Sequence, residues 1–175
     1  LRTMTSSGMS IDTAARQITF RLAAGSHYFR DIAKFRAMRK LWHRIVTASG
    51  GSRDAAIMRL HVRPSLRGMT NHDPHGNLLR NATAVFAACM RNAQSITPLP
   101  YSLLVSAADD LHARRLARNT VLIYQHESGL NRVIDPLHGS WFLETFTDQL
   151  SELAWQRFQE IEKQGGIASV LENGW

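Results

Sequence analysis

Three times along this chain a short run of strand-type residues gives way to a long helical pattern, and that succession constrains the fold more than any other feature. The strand-like runs are "ITFRL" at 18–22, "MRLHV" at 58–62 and "SIT" at 95–97. Each is rich in β-branched or alternating apolar residues, and each is followed by a longer stretch with apolar residues at helical spacing. A helix between two strands is too long for a hairpin, so the strands pair in parallel through right-handed crossovers. Three parallel strands cannot close a barrel, which takes eight. They also leave two long edges unpaired. The class is therefore α/β and helix-rich. It is either a small open sheet or the last part of a larger barrel, with no internal repeat beyond the strand–helix alternation.

Local signals set the expected boundaries. Ser10 is placed to cap a short helix from Ile11, with Asp12 in its first turn. Ser26 is placed to cap a long helix to about Thr47, with Ile32, Phe35, Leu41, Trp42, Ile45 and Val46 near one face. "SGGS" at 49–52 ends it. Asp73 is placed to cap the next helix, with Pro74 at its first position, where a missing N–H costs nothing. That helix runs to about Arg91, and its small middle residues allow close packing on a sheet. Pro98 and Pro100 stop the third strand. A helix is expected from about Ala107 to Glu127, closed by Ser128-Gly129. Ser140 is placed to start a last long helix with Phe142, Phe146, Leu150, Leu153, Phe158 and Ile161 inward, broken by Gly165-Gly166.

Composition narrows the function classes. With 175 residues and 44% hydrophobic content, one domain spanning 1–175 with a real core is expected. No run is long and apolar enough to span a bilayer. The first residues hold no apolar signal segment. Cys89 is the single cysteine. It excludes a disulfide framework and points to a reduced, core-buried thiol in a cytoplasmic setting. The net charge is +7, and 18 of the 21 basic residues are arginine. Such a balance suits nucleic acid or an anionic ligand such as a phosphorylated cofactor. The arginines are scattered, and no zinc-finger, RNP-like or basic-heptad pattern accompanies them, which disfavours nucleic acid.

Ligands of α/β folds meet the C-terminal ends of the strands. That selects 24–26, 61–67 and 97–101 with the loops that follow. "NHDPHGN" at 71–77 gathers two histidines and an aspartate, but no metal motif has this spacing. The reading preferred is an Asp cap, then Pro, with solvated imidazoles. Arg114, Arg115 and Arg118 share one helix and suit either phosphate binding or pairing with Asp109 and Asp110. Gly50-Gly51 and Gly165-Gly166 lack the strand-before, helix-after context of a phosphate loop.

Four stretches together carry a resemblance. They are "FRDIAKFRAMRKLWHRIV" (29–46), "MTNHDPHGNLLRNATAVFAA" (69–88), "ARRLARNTVLIYQHESGLNRVIDPLHGSWFLETFTDQL" (113–150) and "EIEKQGGIASVLENG" (160–174). In this order they resemble the methylmalonyl-CoA mutase family across nearly the whole chain. The resemblance implies the C-terminal three strand–helix units of a (β/α)8 TIM barrel that binds acyl-CoA along its axis. It implies an adenosylcobalamin-dependent isomerase that rearranges the carbon skeleton of an acyl-CoA. Cobalt–carbon homolysis gives a radical that abstracts substrate hydrogen, and protein excludes water and orients the groups. The earlier strands of such a barrel would precede Leu1. The cobalamin-binding domain would follow Trp175.

The aligned positions depart from the family's catalytic members. Those members carry an arginine and, two residues on, a serine for CoA at the sixth strand, and here these are Gln17 and Thr19. A glutamine near the corrin and a glycine three on become Arg63 and Leu66. A corrin-facing glutamate falls at about Leu103. Arg to Gln removes a phosphate-pairing charge, and Leu for Glu removes an acceptor. "SITPLPYS" at 95–102 resembles the family's small, catalytically silent subunit. The resemblance therefore implies a chain inactive alone, which neither binds cobalamin nor turns over by itself. Its partner would be a large catalytic subunit, as a heterodimer, or the missing barrel strands. A non-catalytic scaffold is the second reading, and a basic nucleic-acid-binding module the third. The helix carrying Arg114, Arg115 and Arg118 is expected to support the barrel rather than do chemistry.

Overall fold

The computed structural model describes residues 1–91, 93–105 and 110–174. The element order is α1 (Arg2–Ser6), α2 (Ile11–Gln17), β1 (Thr19–Ala24), α3 (Tyr28–Ala48), β2 (Arg59–Pro64), α4 (Gly76–Cys89), β3 (Ser95–Ile96), α5 (Leu111–His126), α6 (Trp141–Lys163) and α7 (Ile167–Glu172), with short 3-10 turns at Leu66–Gly68 and Leu130–Arg132. The three strands form one sheet in the order β1-β2-β3. Both pairings are parallel, with Phe20 opposite Leu60 and Val62 opposite Ile96. The expected strand–helix alternation and parallel pairing are present. A closed barrel is not, because three strands form an open sheet.

Alternation along the strands splits the sheet into two unlike faces. Phe20, Leu22 and Ala24 of β1 point the same way as the buried Leu60, Val62 and Pro64 of β2. They meet Phe35, Trp42 and Val46 of α3 and Ala84 and Ala88 of α4 in the main core. Phe20 meets Trp42 edge-on at 4.9 Å. The small residues of α4 let it approach the sheet, as its sequence anticipates. On the opposite face Thr19, Arg21, Ala23, Arg59 and Ser95 are exposed, and no described element covers them. Helices therefore cover one face only.

A second layer forms where α6 packs on α3. Ile32 of α3, Ala87 and Met90 from α4 and its end, and Leu143 of α6 make a smaller core. Beneath it, Asp135 accepts from Arg36 at 3.3 Å and from Arg91, while Glu144 also accepts from Arg36. Two nearly buried guanidiniums thus tie the 133–140 loop to α3 and to the end of α4. The buried stripe of α6 is Leu143, Thr147 and Ser151. Phe142 and Leu153, expected inward, are 55% and 57% exposed. The stripe is rotated by one position because α6 lies on a helix, where small Thr and Ser allow closer approach than phenylalanine.

Several ends also differ. Ser10 caps α2 as expected, accepting from the Thr13 N–H at 3.3 Å. Helix α3 starts from His27 rather than Ser26. Helix α4 starts after His75, yet Asp73 still accepts from the Gly76 N–H at 3.1 Å, as a cap over a first turn containing Pro74 does. Ser140 precedes α6 but accepts no capping bond. The expected start of α5 near Ala107 lies outside the described residues. The helix is described from Leu111, with Asp110 as its cap, accepting from Ala113 at 2.9 Å. Helix α1 had no sequence signal.

Candidate functional site

The strand ends nominated by the sequence converge on one side of the sheet, and their loops are held by side chains. At the end of β1, the Gly25 N–H donates to Asp31 at 2.7 Å. Lys34 bridges Asp31 and the Ala23 carbonyl, both at 2.6 Å. The turn after β2 is tied back to β1, because the Ser65 N–H donates to the Ala24 carbonyl at 2.7 Å. Asn77 is fully buried and braces two loops at once. Its amide nitrogen donates to Thr70 and Tyr101 carbonyls at 2.7 and 3.1 Å, and its oxygen accepts from the Thr70 N–H at 3.0 Å. Asn81 donates to the Leu99 carbonyl at 2.7 Å. These two asparagines lie one helical turn apart on α4. No sequence motif marks either, although polar residues on an otherwise apolar helix face are the signal for such braces.

Clefts open at this end among the described residues. One, of about 160 Å³, lies between the loops after β1 and β2 and α4, and is lined by Gly25, Ser65, Met69, Arg80 and Asn81. Another, of about 370 Å³, lies over the strand ends and is lined by Arg21, Ala23, Arg63, Ser65, Leu66 and Arg67. Arg63 and Leu66, two of the nominated positions, therefore share one cleft. Leu103 lies in the turn after β3, is 40% exposed and lines neither cleft. Gln17 ends α2 and Thr19 begins β1, so both stand at the opposite end of the sheet. Thr19 pairs with Arg59 and Ala23 with Arg63, which puts the two ends roughly 13 Å apart along the strands. No cleft described at that end contains Gln17 or Thr19.

The remaining candidates resolve into structural roles. Among the described residues no group of three His, Cys, Asp or Glu side chains is placed to hold a metal ion. His75 stacks on Tyr101 at 5.1 Å instead. Cys89 is only half-buried, not a core residue, and it borders a cleft of about 240 Å³ with Gln94, Ile96, Tyr124 and Leu130. Burial pushes its thiol up to about 11, the opposite of an activated nucleophile. Arg115 and Arg118 are exposed and make no bond to a described residue, so they do not anchor α5. Asp110, one expected partner, is occupied by the Ala113 N–H and the Ser102 hydroxyl, which hold its carboxyl below the usual range. Asp109 lies outside the described residues. What holds α5 is buried Ala113 and Ala117 and the Tyr124 hydroxyl, which donates to the Ala82 carbonyl at 3.2 Å.

Comparison with known proteins places this arrangement. The family model for methylmalonyl-CoA mutase matches residues 1–175. The chain belongs to the methylmalonyl-CoA mutase family. A probable methylmalonyl-CoA mutase small subunit of Mycobacterium tuberculosis is 43% identical over 97% of this chain and 28% of its own length. The methylmalonyl-CoA mutase small subunit of Streptomyces virginiae is 41% identical over 99% of this chain, again 28% of its own. A methylmalonyl-CoA mutase of Cereibacter sphaeroides is 34% identical over 95% of this chain and 24% of its own. The chain thus spans between 24% and 28% of the length of these methylmalonyl-CoA mutase relatives. The match reaches proteins named as small subunits and proteins named simply as mutases. No helix among the described residues is long and apolar enough to cross a membrane.

Proposed function

We propose that these residues are the last three strand–helix units of a (β/α)8 barrel of the mutase type. Their role is to complete an acyl-CoA-binding barrel rather than to perform the rearrangement alone. One observation supports this reading above the others. Among the described residues the sheet carries helices on one face only, and its other face is polar, uncovered and bounded by unpaired edges of β1 and β3. In a closed barrel that face lines the interior and both edges are paired. The family's CoA positions, Gln17 and Thr19, then lie at one mouth. Its cofactor-facing positions, Arg63 and Leu66, lie at the other, as expected for a ligand threaded along the axis.

Adenosylcobalamin, when bound in the family's holoenzyme, supplies the radical that starts the rearrangement. The residues here do not fit that group. Arg63, Leu66 and Leu103 offer neither a cobalt ligand nor a side-chain acceptor toward a corrin. The radical step is therefore assigned to residues outside these 175, and a large catalytic subunit is the partner that the small-subunit relatives favour.

The test is to purify the natively assembled protein through a tag on this chain and assay acyl-CoA isomerisation with adenosylcobalamin. The expected result is turnover that follows the co-purifying polypeptide and disappears when it is stripped away. Turnover by this chain unaided, or a stable monomer with nothing on its bare face, overturns the reading. The scaffold reading predicts the same assembly with no acyl-CoA binding by this chain, which calorimetry with CoA separates.

A further inference from the structure

The polar, uncovered face is strongly cationic. Arg21, Arg59 and Arg63 all project from it, on adjacent strands. Arg67 joins them from the 3-10 turn that follows β2. None of these four guanidiniums bonds to or pairs with a described residue. This contrasts with Arg36 and Arg91, whose charges are matched by Asp135 and Glu144. The open cleft of about 370 Å³ at the strand ends gathers three of the four, Arg21, Arg63 and Arg67, and no carboxylate lines it. Ala23 is the register partner of Arg63, so Arg21 and Arg63 stand on the same face of neighbouring strands, two positions out of step. Strand spacing and rise put their Cα atoms about 8 Å apart. Side chains as long as arginine converge easily across that distance.

The cleft is also held in shape before any ligand arrives. The Ser65 N–H bonds to the Ala24 carbonyl at 2.7 Å, and the Ser65 hydroxyl accepts from the Arg67 N–H at 3.3 Å. These bonds fix the turn that carries Arg67 against the end of β1. The Ser65 hydroxyl hydrogen is left to donate. Three unmatched, always-charged forks around one fixed hydroxyl suit a multiply charged oxyanion with several acceptor oxygens.

We propose that the cleft of Arg21, Arg63, Ser65 and Arg67 is a binding site for a phosphoanhydride or phosphate group. It is separate from the end of the sheet where Gln17 and Thr19 lie. The site does not depend on barrel closure, since all four residues come from this chain. Pyrophosphate is the probe for this group, and CoA reads the proposed acyl-CoA function separately.

The natively assembled protein is titrated by calorimetry with pyrophosphate in one arm and with CoA in the other. Arg63→Gln, Arg67→Gln and the control Arg53→Gln are each checked by thermal melting. Arg67 sits in an exposed turn, so Arg67→Gln leaves the fold intact even if Arg63→Gln does not. Pyrophosphate binding should weaken about tenfold in each cleft variant and stay unchanged in the control. It should also weaken as salt rises. Absence of pyrophosphate binding, or binding indifferent to Arg67→Gln, overturns the proposal. CoA binding without pyrophosphate binding sinks this site and leaves the proposed function standing. The reverse pattern sinks the proposed function and leaves this site standing.

Discussion

The ion network under the second core gives the sharpest stability prediction. Asp135 is the shared acceptor for Arg36 and Arg91, whose side chains are 8% and 14% exposed. Its other oxygen accepts from the Leu137 N–H at 3.3 Å. Replacing it by asparagine keeps the shape and removes the charge. Arg36 retains Glu144, but Arg91 is left with no carboxylate. Breaking a buried pair by removing one partner costs about 3–5 kcal/mol. Partial solvent access at Asp135, and the surviving Arg36–Glu144 pair, reduce that to about 2–3 kcal/mol. For a chain of this size the melting midpoint should fall by roughly 4–12 °C. The assay is thermal and urea unfolding of the assembled protein, comparing Asp135→Asn, Arg91→Met and the double variant. The two single effects should overlap, so the double variant loses clearly less than their sum. A midpoint within 1 °C of the parent for Asp135→Asn, or strict additivity, would show that Asp135 does not hold the two guanidiniums together.

Asn77→Ala orphans the Thr70 N–H and two loop carbonyls and should cost about 2–4 kcal/mol by urea titration. Arg118→Ala should change stability by less than about 0.5 kcal/mol, because its side chain is exposed and bonds to nothing described. Bonds from the Ser52 hydroxyl, then its N–H, hold Asp12 below the ordinary carboxylate value of 3.8. Its contribution is present above that value and is lost as pH falls through the lower folded one. The stability gap between parent and Asp12→Asn should therefore close below about pH 4 in pH-dependent urea melts. Cys89, pushed up by burial, should react with iodoacetamide at pH 8 roughly 100-fold more slowly than free cysteine.

The strand–helix alternation made the topology legible, because crossover length and handedness leave few ways to pair three parallel strands. The face of α3 was equally plain, since Ile32, Phe35, Trp42 and Val46 keep one period and all are buried. Arg36 was not, because nothing local marks an arginine as the partner of a carboxylate 99 residues away. The inward face of α6 differs from its apolar pattern for a related reason. Its apolar period suited a broad surface, whereas the small residues that meet α3 carry no hydrophobic signal. At the candidate site, Arg63 and Leu66 were nominated through family resemblance and meet in one cleft. Arg67, like Arg63, falls in the strand-end segment 61–67 that the sequence selects, whereas Arg21 joins them only through strand register, which periodicity does not encode.

The central proposal is that the bare face of the sheet is the inner wall of a barrel closed by residues outside these 175. An experimental structure of the natively assembled protein, isolated through this chain, tests that directly. A parallel strand from outside these 175 residues is expected, hydrogen-bonded along the β1 edge from Thr19 to Ala24, with Arg21, Arg59 and Arg63 turned into an enclosed lumen. A three-stranded sheet whose arginine face remains open to water would contradict it.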